Sequence, residues 1–150
     1  MTITATVDTS KFESDLAEKM NHAKVFTLEA MRDRLYEIVI GNFGAFPVDR
    51  PDWETNYLSM QYAKRVGRNV ATMVESGSMR DAVMKGGTGG NSTSVSLSNS
   101  SVPYATVHHF GNGNMPRRPV FPIEEDGTIR SFTQMSVINA ANQAFAEAMQ

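Results

Sequence analysis

Apolar residues recur at three- and four-residue steps near the start of the chain: Phe12, Leu16, Met20 and Ala23, then Leu28, Met31, Leu35 and the pair Ile38 and Val39. That spacing draws one stripe along a helix, and Lys11, Asp15, Glu18, Lys19, Glu29, Arg32, Asp33 and Glu37 form its solvated face. Ser10 and Glu13 have capping-box form and predict its start, and Gly41 predicts its stop. About seven turns is long for a small protein, and a kink between Ala23 and Thr27 would accommodate the length. Before this helix, Ile3, Ala5 and Val7 alternate with Thr2, Thr4 and Thr6, which predicts a strand.

Gly41, Gly44, Pro47 and Pro51 mark a loop up to Asp52. Asp52 is placed to cap a second helix through Trp53, Leu58, Tyr62 and Val66, ending on Lys64, Arg65 and Arg68, where the dipole favours cations. Asn69 to Val74 continue it after a break at Gly67. Gly77 leads into a short segment from Met79 to Lys85, and Gly86 to Ser92 form a Gly/Ser-rich loop that is flexible for want of side chains to pack. In the strand predicted from Ser92 to Ser98, Thr93, Val95 and Leu97 alternate with serines. From Pro103 to Phe110 a short helix is favoured over a strand, since Tyr104, Val107, His108 and Gly111 sit at helical steps. Pro116, Pro119 and Pro122 exclude a helix afterwards, and Val120 and Phe121 are suited to pair at a sheet edge. Ser131 to Gln150 carry Phe132, Met135, Ile138, Phe145 and Met149 as a stripe among alanines, a terminal amphipathic helix. The expected architecture is α+β. A long N-terminal helix, a second helix and the C-terminal helix pack on a small, mainly antiparallel sheet in a single domain, residues 1–150.

Composition narrows the chemistry. With 150 residues, 41% of them hydrophobic, the chain can bury a core without staples, and having no cysteine it has no disulfide, thiolate nucleophile or thiolate metal site. Fourteen Lys and Arg against sixteen Asp and Glu leave a net charge of -2, too balanced for a dedicated phosphate-neutralising surface. No run of apolar residues is long enough to span a bilayer, and no secretion signal precedes the first helix, so the expected setting is a cytoplasm, with no membrane partner. His108 and His109 are adjacent and so fall on different faces, which argues against a shared metal and for one packed and one exposed imidazole. Gly86 to Gly90 lack the Lys-Ser/Thr of a phosphate loop, and Glu75-Ser76-Gly77-Ser78 is not a nucleophile elbow. Glu124, Glu125 and Asp126 sit in a turn ending at Gly127, where solvation is the ordinary expectation. No enzymatic activity, cofactor or metal is expected. Lys64, Arg65, Arg68, Arg117 and Arg118 keep a nucleic-acid-binding accessory role open as a rival, with a metal hydrolase using His108 and His109 behind it. Ten methionines are many for this length; they suit adaptable contacts, although most fall on helix stripes where core packing is the expected use.

Four segments, taken in order, resemble a known family. These are Trp53 to Leu58, Val74 to Ala82 (with Gly77-Ser78-Met79-Arg80), Val102 to Gly111 (with Tyr104-Ala105-Thr106-Val107-His108-His109-Phe110-Gly111), and Met115 to Phe121 (with Pro116-Arg117-Arg118-Pro119). Together they are similar to the phage virion morphogenesis proteins, the tail-completion and neck proteins typified by the G protein of phage Mu. The likeness spans about residues 53 to 125; Met79 stands where leucine is usual, Ala82 where serine is common, and Val120 comes between Pro119 and Phe121. The resemblance implies a structural virion subunit of a tailed bacteriophage, made in the bacterial cytoplasm. It would form a ring, usually a hexamer, at the head–tail junction, joining the head connector or adaptor to the tail. A tail terminator ring capping the tail tube is the alternative. Genomic DNA would pass through without specific binding, past a lumen that Glu124, Glu125 and Asp126 are suited to line. The motif positions carried over are Gly77, Arg80, Tyr104, Ala105, His108, Phe110, Gly111, Pro116, Arg118 and Pro119, as residues that shape the subunit and its contacts.

Overall fold

The computed structural model describes residues 10–44, 57–70, 72–74, 76–98, 100–124 and 126–150. The predicted strand at residues 1–7, and Asp52 and Trp53, lie outside them. The first helix, α1, runs Ser10–Gly41 without interruption. No Pro or Gly falls inside it before Gly41, so nothing in the chain forces the expected kink. At 32 residues it is about 48 Å long, whereas a globule of this chain length is about 38 Å across. One end must therefore project. Its C-terminal part is the packed one, with Ile38 and Val39 fully buried, whereas Ser10 to His22 are exposed without exception.

The second helix, α2 (Met60–Val66), starts later than the sequence pattern suggests, because Ser59 supplies the cap: its side-chain oxygen accepts the Tyr62 N–H at 3.3 Å. Just before it, Tyr57 pairs antiparallel with Val70, and the Leu58 N–H donates to the Asn69 carbonyl. This pairing turns residues 69 and 70 back on the helix entrance instead of extending the helix. The reversal is made at Gly67, in the left-handed conformation, whose N–H caps the Ala63 carbonyl. A single turn, α3 (Ser78–Asp81), then buries Met79 and feeds β1 (Val83–Lys85). β1 pairs antiparallel with β2 (Val95–Leu97) in the register Val83 with Leu97 and Lys85 with Val95. Val95 and Leu97 are half-buried while Ser96 is exposed, as the alternation predicts. Gly86 to Ser94 form the connection, in which Gly89 and Ser92 exchange backbone hydrogen bonds.

α4 (Ala105–Phe110) is the predicted short helix, and α5 (Ser131–Ala148) the predicted C-terminal one. The fold is α+β: a long N-terminal helix, a C-terminal helix packed against it, and a small two-stranded antiparallel sheet. The core joins the end of α1 (Val39, with Phe43 just beyond it) to Met79, Val83, Val102, Ala105 and Val120. Val120 and Phe121 make no sheet edge: Val120 is in the core, Pro119 and Pro122 are fully buried beside it, and the backbone there is irregular. Buried Asn42 holds that segment to the end of α1 by donating from its side chain to the Val120 carbonyl at 3.0 Å.

α5 inverts one expectation. Its small residues face inward, with Thr133 and Ala144 buried and Ser136 accepting a 2.7 Å bond from Arg34 of α1. Phe132, Met135, Ile138 and Phe145 are exposed. The alanine face lets the two helices approach closely, and the bulky stripe is turned outward. Several methionines follow suit: Met73 and Met79 are buried, but Met20, Met60, Met84 and Met135 face solvent.

Candidate functional site

Residues from all four motif segments line one open cleft of about 710 Å³. The end of α2 and the turn after it contribute Arg65 and Arg68, the entrance to α3 contributes Gly77, α4 and its cap contribute His108 and Tyr104, and the following loop contributes Pro116 and Arg118. Met73, Met79 and Met115 add apolar wall, and among the described lining residues there is no carboxylate. Gly77 sits at φ 83°, a conformation that admits the abrupt entry into α3; a Cβ there would meet the Asp81 carboxylate at 3.1 Å.

Tyr104 and His108 are one helical turn apart and pack edge to face, ring centres 5.8 Å apart, as their spacing predicts. The adjacent His109 points elsewhere, onto Phe110 at 4.7 Å and Phe121 at 6.2 Å. Both imidazoles are half-buried, which corrects the expectation of one packed and one exposed. Burial, and secondarily a guanidinium beside each ring (Arg118 for His108, Arg117 for His109), holds both below the ordinary imidazole value. They are therefore neutral at pH 7, and Nδ1 of each is buried without a hydrogen-bond partner. The neighbouring arginines divide in the same way, so the five basic residues do not form one strip.

Gly111 makes this geometry possible. It closes α4 by donating its N–H to the Val107 carbonyl, then turns at φ 72°, ψ 176° so that the Arg118 N–H reaches the His108 carbonyl at 2.9 Å. Arg118 also reaches the Tyr57 carbonyl at 3.5 Å, Arg68 donates to the Val74 carbonyl at 3.2 Å, and Arg65 lies over the Tyr62 ring at 4.5 Å. Of the remaining motif positions, Ala105 and Pro119 are buried as support. Arg80 is outside the cleft and pairs with Asp81 at 3.0 Å, and Phe110 is largely exposed. The acidic turn is held locally. Thr128 donates to Asp126 from both its N–H and its hydroxyl, lowering the Asp126 pKa, and Arg130 lies 3.7 Å from Glu124; Glu125 lies outside the described residues.

Nothing in the sequence singled out Tyr62 or Met73 for this cleft, whereas Tyr57, Met79 and Met115 fall inside the motif segments and Arg65 and Arg68 among the basic residues. Chemically, guanidinium, phenol and thioether groups around neutral His108 favour holding an anionic or aromatic group. Among the described residues no three His, Asp or Glu gather to hold a metal ion, and no helix is long and apolar enough to cross a membrane. Compared with protein-family models, with curated proteins and with solved structures, the chain matches none.

Proposed function

We propose that this chain is a structural virion protein of a tailed bacteriophage, repeated in a ring at the head–tail junction that joins the head connector to the tail and lets DNA through. The carrying observation is the projecting limb of α1. From Ser10 to His22 every residue is exposed, yet Phe12, Leu16 and Met20 keep an apolar stripe there, Phe12 at 68% exposure. An isolated helix of this length is marginal in water, and a monomer gains nothing from such a stripe. A neighbouring subunit does, and a head-to-tail contact repeated with the right rotation closes a ring.

The phage assignment itself rests on the motif resemblance. It gains support from the way Gly77, Tyr104, His108, Pro116 and Arg118, scattered in sequence, share one cleft. Replacing Phe12, Leu16 and Met20 together by serine tests the limb. The fold should survive, since none of the three is buried, whereas rings seen by negative-stain imaging of the purified protein should be lost. Rings that persist in the triple variant would refute the limb as the ring contact.

A further inference from the structure

The outward face of α5 has an order of its own. Met135, Ile138, Asn142, Phe145 and Met149 follow one another at steps of three, four, three and four, the seam of a two-stranded coiled coil. Met135 is 66% exposed, Ile138 46% and Phe145 41%, while the opposite face packs on α1. With Phe132 alongside, the apolar surface left in water is roughly 400 Å², comparable to the largest patch on an ordinary monomer. A helix apolar on both faces is one that is covered on both.

We infer that the cover is a second copy of this chain, α5 against α5 about a twofold axis passing near Asn142. Asn142 lies seven residues from both Met135 and Met149, so in either helix direction it meets its own counterpart when the seam is centred. A lone asparagine in such a seam fixes register by bonding to its mate. Glu147 is the only charged residue of α5 and is held by Gln143 at 2.9 Å. The face thus offers a charged partner nothing to read and presents no repulsion to a copy of itself. Two such helices bury on the order of 1,000 Å² in total, about the lower bound of specific interfaces, so the association is of the weak kind and is sought at micromolar concentrations. A twofold contact pairs subunits or stacks two rings and closes no ring itself, so pairing and the proposed ring can fail separately.

The chain has no cysteine, so a single engineered one reports position. Asn142→Cys under mild oxidation should give a species of twice 16.5 kDa, while Ser96→Cys, exposed on β2, should not. In sedimentation of the full chain, Ile138→Ser with Phe145→Ser should raise the dimer dissociation constant by at least about tenfold, with the helical circular-dichroism signal unchanged. Phe12→Ser with Leu16→Ser should leave pairing intact. A monomer throughout the micromolar range, a dimer indifferent to the α5 changes, or a dimer in which Asn142→Cys fails to cross-link would each overturn the inference. The last two outcomes would transfer the contact to the α1 limb or to another face.

Discussion

Replacing Gly111 by alanine tests how the cleft is built. The residue occupies φ 72°, ψ 176°, a region closed to side chains at a cost of about 1–3 kcal/mol. An added Cβ would also lie 3.0 Å from the Arg117 nitrogen and 3.2 Å from its Cα and Cβ. These are mainly backbone atoms, and they yield only by displacing the Arg118 to His108 bond, worth about 1 kcal/mol. Alanine's restriction of the unfolded chain returns about 0.4–1 kcal/mol. The net loss is about 2 kcal/mol, a large share of the about 5–15 kcal/mol typical of a domain, and corresponds to a fall in Tm of about 4–8 °C. Urea and thermal unfolding followed by circular dichroism at one fixed protein concentration would measure it, with Gly113→Ala as control. At Gly113 φ is not positive and a Cβ meets nothing within 4 Å, so that variant should stay within about 1 kcal/mol of the parent. Equal stabilities for the two variants would refute the strained turn.

Asn42→Ala should cost about 1–3 kcal/mol in urea unfolding, because it strands the buried Val120 carbonyl and loosens the proline segment from α1. Stability should fall as pH drops below 6.5: the folded imidazoles of His108 and His109 titrate below that value, so the unfolded chain takes up protons first. Partial exposure keeps the slope under the limit of about 1.4 kcal/mol per pH unit for one group, and the double variant His108→Gln, His109→Gln should flatten the difference in urea midpoint between about pH 7.5 and about pH 5.5. Duplex DNA at low salt should show no binding by anisotropy, since Arg65, Arg68 and Arg118 converge on one hollow while Arg117 turns toward His109; steeply salt-dependent binding would favour the nucleic-acid role.

Much of this fold was legible in the sequence because it is local. The stripe of α1, the Ser/Val/Leu alternation of β2 and the Pro-to-Gly frame of α4 each depend on residues a turn or a pleat apart. The start of α2 was not, since the pairing of Tyr57 with Val70, distant in sequence, keeps residues 57–59 out of the helix and leaves Ser59 as its cap. Nor was the orientation of α5: apolar periodicity marks its bulky side as the inner one, whereas close approach to α1 selects the alanine side. The cleft could be read only as motif pieces, because sequence carries no distance between Arg65, Gly77 and Arg118. Pro119 and Pro122 told only that no helix runs through their segment; its place in the core depends on the distant Asn42 to Val120 bond.

The central claim is that the chain works by fitting against copies of itself and against other parts of a particle. Under the proposed function, reconstruction of virus particles that contain this chain addresses that most directly. The predicted result is density for this fold repeated as a ring on the portal–tail axis, with the α1 limb of each copy seated on its neighbour. A particle whose head–tail junction is complete without this chain would contradict it.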